Sequence, residues 1–267
     1  MRRPVLRPAG ATTRIRRRLL TAGATTRIRR RLLTAGASLL VAAGMTAGAV
    51  LDAGAAHAAP GSAVTAATAP RTLRIGMKGP DVLALQQKLI SHHYVPGQLN
   101  GVFGNSTFHA VVAFQKVHGI GRDGQVGPIT RAKLARPVAP RLLQRRSGLY
   151  VEINLTTQVL VIGYNGAVFR ILDVSTGNGQ PYTVDGNTRI ARTPVGDFRV
   201  LRKINAWRTS TLGQLYRPAY FYGGYAIHGS YSVPSYPASH GCVRVTIANM
   251  DRMYPSLKIG TPVKIYR

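Results

Sequence analysis

The C-terminal half of the chain opens, at residues 148–175, with GLYVEINLTTQVLVIGYNGAVFRILDVS. Short runs rich in Val, Ile, Leu and Tyr predict three strands, at Tyr150–Leu155, Gln158–Tyr164 and Ala167–Ser175. The last two are separated by Asn165-Gly166, a strong signal for a two-residue hairpin turn. Antiparallel β-structure is therefore expected from the start of this region.

The same texture continues to the C-terminus. Further strands are predicted at Thr193–Leu201, Ala219–Tyr222 and Pro262–Tyr266, with one short helix near Ile247–Tyr254. Many short strands and a single helix predict a mostly-β domain over residues 148–267, either a sandwich or a partly closed barrel.

Residues 71–136 have a different pattern, which predicts three helices. Gly79-Pro80 places a proline in the first turn of one helix, and Gly127-Pro128 does the same for the third. Asn105 or Ser106 is predicted to cap the second helix, which Gly119 ends. The apolar positions repeat at helical spacing: Val82, Leu85 and Leu89, then Ala110, Val111, Phe114 and Val117. A unit this small folds alone only marginally and suits a binding accessory better than an enzyme.

The N-terminus carries a tandem repeat. Residues 11–23, ATTRIRRRLLTAG, recur unchanged at 24–36, and an uncharged, mostly apolar stretch runs from Ala37 to Leu51 before Ala56-His57-Ala58. A basic region, a short apolar core and a small-x-small site predict a secretory signal peptide over residues 1–58 with a duplicated basic segment. A nucleic-acid-binding arm is the competing interpretation.

The apolar core is shorter than a bilayer span, so a permanent anchor is the weaker interpretation, and contact with the membrane is expected only during export. The exported chain would begin near Ala59. Residues 59–70 are predicted to be a flexible lead-in, and the Pro- and Arg-containing residues 137–147 an inter-domain linker.

Charge points to an anionic partner. The chain holds 36 Lys and Arg against 8 Asp and Glu, and residues 59–267 keep 25 basic and 7 acidic residues, a net charge of +18. Such a body is attracted to polyanions. Export disfavours nucleic acid and favours anionic polymers of a cell wall.

A single cysteine excludes an intramolecular disulfide framework and any multi-thiolate zinc site. It stands in Ser239-His240-Gly241-Cys242-Val243-Arg244. A buried, inert thiol is the usual role of a lone cysteine, but two histidines and an arginine are available here to generate the nucleophilic thiolate. Four histidines of the helical region lack the spacing and carboxylate partners of a metal site: His92, His93, His109 and His118.

The residues alone leave the base for Cys242 open. His240 is two positions away, so on an extended strand both side chains would project from one face. His228 is distant in sequence, but a defined loop containing Pro234 and Pro237 would bring it alongside. A structural hydrogen bond to the backbone is the alternative role for either histidine.

The helical region resembles the three-helix peptidoglycan-binding domain of bacterial wall enzymes. The resemblance rests on LRIGMKGPDVLALQQKL, GQLNGVFGNSTFHAVVAFQKVHGI and DGQVGPITRAKL, with Asn100 where the pattern usually has Asp. It implies binding to wall glycan or stem peptide.

Residues 148–266 resemble the L,D-transpeptidase family. The matching motifs are VEINLTTQVLVI, VSTGNG, TPVGDF, AIHGS, YPASHGCVRV and GTPVKIY. The resemblance implies that Cys242 is the nucleophile and His228 the proton donor and acceptor, oriented by the Gly229 carbonyl. The separation of 14 residues between them is a little shorter than in many relatives, which implies a short lid.

The resemblance also gives supporting roles. Ser239 and His240 would shape the turn that carries Cys242, and the N–H groups of Gly241 and Cys242 would bind the oxyanion. Arg244 would favour the thiolate, bind a substrate carboxylate or brace the structure. Tyr222, Tyr225 and Ser230 are the candidates for the substrate groove, although sheet packing is the alternative for the two tyrosines.

The implied reaction is peptidoglycan cross-linking. Cys242 would form a thioester with a stem tetrapeptide and release D-alanine, and an amine of a neighbouring stem would then take the acyl group. No metal or organic cofactor is expected. Open alternatives are a carboxypeptidase or endopeptidase that uses water, and a wall-binding protein without activity. Either way, a secreted protein of the cell wall is expected, with a role in cell-wall organisation and cell shape.

Overall fold

The computed structural model describes residues 70–267, which fall within one compact unit. The predicted signal peptide and residues 59–69 of the predicted lead-in lie outside the described residues. Within the described part of the chain, no helix is long and apolar enough to cross a membrane.

Three helices form where the sequence predicts them: α1 at Pro80–Ser91, α2 at Asn105–Val117 and α3 at Pro128–Ala135. The predicted cap of α2 is wrong. Gly104 occupies the N-cap position with extended backbone, and no side chain caps the helix. The chain enters the helix one residue early, so that Asn105 is already inside it and the Ser106 side chain packs against Gly97.

Twelve strands and a fourth helix make up the described part of the β region. The strands are β1 Leu149–Asn154, β2 Val159–Tyr164, β3 Ala167–Asp173, β4 Pro181–Val184, β5 Asn187–Ile190, β6 Gly196–Arg199, β7 Arg202–Lys203, β8 Trp207–Ser210, β9 Gly213–Tyr222, β10 Tyr225–Ser230, β11 Val243–Thr246 and β12 Pro262–Tyr266. Helix α4 spans Ile247–Met253 and begins with Thr246, whose side chain accepts a hydrogen bond from the Asn249 N–H.

The strands form two open five-stranded sheets and a separate hairpin. The first sheet has the order β3-β2-β1-β12-β6, and the second has the order β11-β10-β9-β7 with β8 also paired to β9. Strands β4 and β5 pair only with each other. The two large sheets enclose a shared core, so the sandwich prediction is confirmed and the barrel alternative is wrong.

The first sheet is buried on both faces. Val151, Ile153 and Leu160 point into the core shared with the second sheet. On the other face, Val161 and Ile171 join the core of the three helices. The molecule therefore has three layers, helices on sheet on sheet, and the helices share a core with the β region instead of standing apart.

A buried ionic cluster joins the helices to the first sheet. Lys116 of α2 is 1% exposed, and its ammonium group donates to the Asp173 carboxylate of β3 and to the carbonyl oxygen of Val174, 2.9 Å away. His109 Nδ1 lies 2.7 Å from the other carboxylate oxygen. Burial lowers the pKa of Lys116, and the charge of Asp173 opposes that change. Because each charged group has a partner, the cluster joins the layers without leaving a buried charge unpaired.

The predicted linker, residues 137–147, is fixed against the first sheet. The N–H groups of Leu143 and Gln144 donate to the two carboxylate oxygens of Glu152, at 2.9 and 2.6 Å. Glu152 is itself buried, at 1% exposure. The buried carboxylate thereby satisfies backbone groups that would otherwise lack partners.

Candidate active site

Cys242 and His228 come together because β10 and β11 run parallel. His228 lies within β10, and Cys242 stands in the turn that leads into β11. The register pairs Ile227 with Val243 and His228 with Arg244. Both Cys242 and His228 line one cavity of about 530 Å³.

His228 is held in its neutral form. Its side chain is buried at 4% exposure, and Nδ1 lies 2.9 Å from the carbonyl oxygen of Gly229. A carbonyl only accepts, so Nδ1 carries the proton and Nε2 is left as an acceptor. Burial lowers the pKa of His228 to about 4, the hydrogen bond to Gly229 raises it and the charge of Arg244 lowers it further. At neutral pH the imidazole is therefore uncharged.

The structure favours the thiol form of Cys242. Burial raises its pKa, while a backbone hydrogen bond with Ala226 and the positive charge of Arg244 act in the opposite direction. Its sulfur lies 3.8 Å from the carbonyl oxygen of Gly224. The resting pair is thus a neutral thiol and a neutral imidazole.

The turn before Cys242 is fixed by two hydroxyl groups. Ser239 Oγ donates to the Cys242 carbonyl at 2.6 Å and accepts from the Gly241 N–H at 3.0 Å. Thr193 Oγ1 donates to the Gly241 carbonyl at 2.7 Å and accepts from the Gly177 N–H at 3.0 Å. These contacts hold the peptide groups on both sides of the cysteine.

This geometry changes two sequence expectations. Gly241 has φ +134°, and a Cβ there would lie 2.5 Å from the ring of Tyr225, so the backbone turns sharply and is not an extended strand. His240 and Cys242 therefore do not share a strand face, and the His240 ring packs edge-on against Tyr182, with centroids 4.9 Å apart. Moreover, the Gly241 N–H already donates to Ser239, so it is not available to an oxyanion.

The Cys242 N–H remains open. No hydrogen-bond partner for it is found within residues 70–267. It is therefore the backbone donor that the turn leaves available for a developing oxyanion.

The strand after the cysteine is braced by the loop after β3. Ser175 and Arg244 exchange two backbone hydrogen bonds, of 3.1 and 2.9 Å, and the Thr176 carbonyl accepts from the Ser239 N–H at 2.9 Å. Ser175 and Thr176 belong to the VSTGNG motif and Thr193 to the TPVGDF motif, but the sequence alone predicts no role for them. Only the fold brings these three residues under the turn.

Two of the three residues predicted to form the substrate groove line the cavity. Tyr225 and Ser230 line the cavity. Tyr222 does not line it: its side chain is 54% exposed and packs on Phe198 and Tyr225, at centroid distances of 5.5 and 6.1 Å. The direction of β9 explains the difference, because Tyr222 lies at its end, opposite Tyr225 across the turn to β10.

Most of the cavity wall consists of residues that the sequence does not predict to lie near Cys242. The wall includes residues of the β4–β5 hairpin and of the β8–β9 hairpin, neither of which was predicted. It also includes four arginines: Arg189, Arg202, Arg208 and Arg244. Within the described residues, no cluster of three or more His, Cys, Asp or Glu has the arrangement of a metal site.

Comparison with known proteins places both parts of the chain in known families. Residues 148–265 match the L,D-transpeptidase catalytic domain family, and residues 78–134 match a peptidoglycan binding domain family. The crystal structure of an L,D-transpeptidase from Xylanimonas cellulosilytica is 46% identical, with a TM-score of 0.71, over 74% of this chain and 98% of that one. The chain belongs to the L,D-transpeptidase family.

Two weaker similarities complete the comparison. The crystal structure of an L,D-transpeptidase from Stackebrandtia nassauensis is 22% identical over 73% of this chain and 95% of that one, with a TM-score of 0.44, and no conclusion rests on it. A Bacillus licheniformis protein named "Probable N-acetylmuramoyl-L-alanine amidase" is 38% identical over 64 residues, 22% of this chain. The match spans only 18% of the length of that protein.

Proposed function

We propose that this protein is a secreted peptidoglycan L,D-transpeptidase in which Cys242 is the nucleophile and His228 moves the proton. The observation that supports the proposal is that His228 lines the cavity of Cys242 with its Nδ1 fixed by the Gly229 carbonyl. His240 lines the same cavity, but its ring packs on Tyr182. Nε2 is then the nitrogen available to the thiol. Membership of the family adds the reaction class.

The first half-reaction forms a thioester. Cys242 Sγ attacks the carbonyl carbon of the amide before the terminal D-alanine of a stem tetrapeptide, and Nε2 of His228 takes the thiol proton. The Cys242 N–H stabilises the oxyanion of the tetrahedral intermediate. When the C–N bond breaks, His228 returns the proton to the leaving amine, and D-alanine departs. Because the thiol and the imidazole are both neutral, proton transfer accompanies the attack.

The second half-reaction forms the cross-link. An amine of a neighbouring stem attacks the thioester carbonyl, His228 accepts a proton from that amine, and the Cys242 sulfur leaves and is reprotonated. Two exchanges of moderate difficulty replace one hard amide exchange. All groups that this sequence of steps requires are side chains and backbone groups of the chain, so the proposal includes no cofactor.

The helical domain, the positive charge and the signal peptide bring the catalytic site to its substrate. We assign wall binding to the helical domain, which concentrates the catalytic site on its polymer. The positive charge of the exported chain adds attraction to anionic wall polymers, and nucleic acid is not a partner in this account. N-terminal sequencing of secreted protein tests the export assignment: a start near Ala59 supports it, and retention of residues 1–58 contradicts it.

Product analysis tests the reaction. The full-length protein is incubated with a defined stem tetrapeptide beside the Cys242→Ala variant, and free D-alanine and peptide products are quantified. D-alanine release with a cross-linked dimer, from the wild type alone, is the expected result. Release of D-alanine with trimmed monomer only would identify a carboxypeptidase. The absence of both from a folded wild type with a reduced thiol would identify a wall-binding protein without activity.

A further inference from the structure

Two hairpins form the walls on either side of Cys242. The β4–β5 hairpin contributes Tyr182 and Arg189, which face each other in the strand register. The β8–β9 hairpin contributes Arg208 and the residues around its turn, Ser210–Leu215. Since the Tyr182 ring lies 4.9 Å from that of His240, the first hairpin sits directly beside the catalytic turn.

The cavity between these walls carries positive charge without compensation. Arg189, Arg202, Arg208 and Arg244 line it, and the lining contains no Asp or Glu. Among the described residues, the arginines that form ion pairs are others, such as Arg217, which lies 2.9 Å from Asp251. Four described aspartates pair with cations outside the cavity, namely Asp81, Asp173, Asp197 and Asp251. Asp185 lies in the turn of the β4–β5 hairpin and does not line the cavity, so the lining is left cationic.

Two of the four arginines have local roles that account for their position. Arg202 lies over the Tyr220 ring, 4.1 Å from its centroid, and Arg244 stands in β11 beside the nucleophile. Arg189 and Arg208 are exposed on the two hairpins and have neither an aromatic partner nor a carboxylate among the described residues. Their guanidinium groups are therefore available to a ligand.

We propose that Arg189 and Arg208 are specificity-determining residues, and that the cavity selects stem peptides whose side-chain carboxyl groups are free over the same peptides with carboxamides. The inference rests on the proposed function, since it concerns the peptide that Cys242 acylates. A guanidinium binds a carboxylate through two parallel hydrogen bonds and by charge, and a carboxamide offers a single acceptor oxygen and no charge.

Turnover of two matched peptides tests this. The full-length protein receives a stem tetrapeptide with free side-chain carboxyl groups, or its carboxamide analogue, and kcat/KM for D-alanine release is measured for each. The test variant carries both Arg189→Gln and Arg208→Gln. The matched control is Arg141→Gln. Arg141 is exposed in the linker and does not line the cavity.

The wild type is expected to prefer the acidic peptide by about 10-fold, the size of two partly exposed charge contacts. The double variant should lose this preference mainly through KM of the acidic peptide and keep its activity on the carboxamide peptide. Arg141→Gln should behave as the wild type. Raising the salt to roughly 0.5 M should reduce the wild-type preference, because the contacts are screened.

Equal use of both peptides by the wild type would overturn the inference, as would an equal loss on both peptides in the double variant. Binding to the Cys242→Ala variant separates this inference from the proposed function. If the wild type releases D-alanine from neither peptide, yet the acidic peptide binds Cys242→Ala about 10-fold more tightly, the reaction is wrong and the selectivity stands. Equal binding of both peptides would remove the selectivity as well.

Discussion

Two regions of this molecule use charge in opposite ways. At the interface between α2 and the first sheet, Lys116 is fully buried and bonded to Asp173, which His109 also contacts. Around Cys242, four arginines line an open cavity that has no acidic residue in its lining. The first cluster is complete within the chain, and the second is complete only when a ligand supplies the anion.

The interface cluster serves the stability of the fold, and the cavity arginines serve the reaction. A buried charge without a partner costs several kcal/mol, so the interface cluster must be satisfied for the helices and the sheet to pack. Charges at an open cavity remain hydrated and cost little, so they can be kept for substrate. Substitutions at the interface should change the free energy of unfolding, and substitutions at the cavity should change turnover.

The largest effect is expected for His228→Gln. Glutamine keeps a side-chain donor near the Gly229 carbonyl but cannot exchange protons at neutral pH, so kcat/KM should fall by about 10²- to 10⁴-fold. Steady-state D-alanine release measures the loss, and thermal unfolding should show that the fold is retained. Activity equal to that of the wild type would remove His228 as the base. His240→Gln is the matched comparison, because the His240 ring packs on Tyr182.

The largest loss of stability is expected for Asp173→Asn. The substitution leaves Lys116 buried beside a neutral amide, and the free energy of unfolding should fall by about 3 kcal/mol. Urea unfolding measures the change. The double variant Lys116→Met with Asp173→Leu should recover most of it, since the unpaired charge is removed. A cost below about 0.5 kcal/mol for Asp173→Asn would show that the cluster does not stabilise the interface.

Ser239→Ala tests a residue that contributes to both stability and turnover. Removal of the hydroxyl leaves the Cys242 carbonyl and the Gly241 N–H without their shared partner, which costs about 1–3 kcal/mol of stability. The turn that presents the sulfur should loosen, so kcat should fall by roughly 10-fold with KM little changed. Ser147→Ala, at an exposed linker position, is the control for both measurements. Full stability and activity in Ser239→Ala would contradict the positioning role.

The smallest expected effect is the change of kcat/KM and of stability at acidic pH. Because the pKa of His228 is lowered to about 4, the base remains neutral through mildly acidic solution, and kcat/KM should fall only as the pH approaches 4. In the unfolded chain this histidine titrates near 6.5 and binds the proton first, so stability should decrease as the pH falls from about 6.5 to about 4. His228→Gln should lack this part of the decrease. A midpoint of the acidic limb near 6.5 would indicate a hydrated imidazole instead.

The sequence predicts what depends on local pattern. Prolines at residues 80 and 128 mark two helix starts, and Asn165-Gly166, both with positive φ, forms the predicted turn between β2 and β3. The predicted strand at 193–201 shortens to β6, and Gln158 joins the preceding turn with φ +59°. Such boundaries depend on strand partners distant in sequence, which periodicity does not reveal.

Some residues of the candidate site can likewise be predicted from the sequence, and others cannot. Residue type predicts a reactive thiol at Cys242 with a histidine as its base, and the choice of His228 and the role of Ser239 come from the family resemblance of their motifs. Thr193 could not be found from sequence, because it contacts the Gly241 carbonyl only when the loop before β6 folds against the turn. The wall arginines Arg189 and Arg208 could not be found either, because they line the cavity only when the two hairpins fold beside it. The exposed pattern of β5 and β8 gives no apolar alternation from which to predict strands.

Intact-protein mass spectrometry tests the central claim most directly. Wild-type protein is mixed with the acidic stem tetrapeptide without an acceptor amine, quenched in acid after seconds, and compared with Cys242→Ala. The account predicts a wild-type adduct with the mass of the peptide less D-alanine, located on the tryptic peptide that contains Cys242 and removed by hydroxylamine. D-alanine release without any adduct on Cys242, or an adduct of the same mass on Cys242→Ala, would contradict the account.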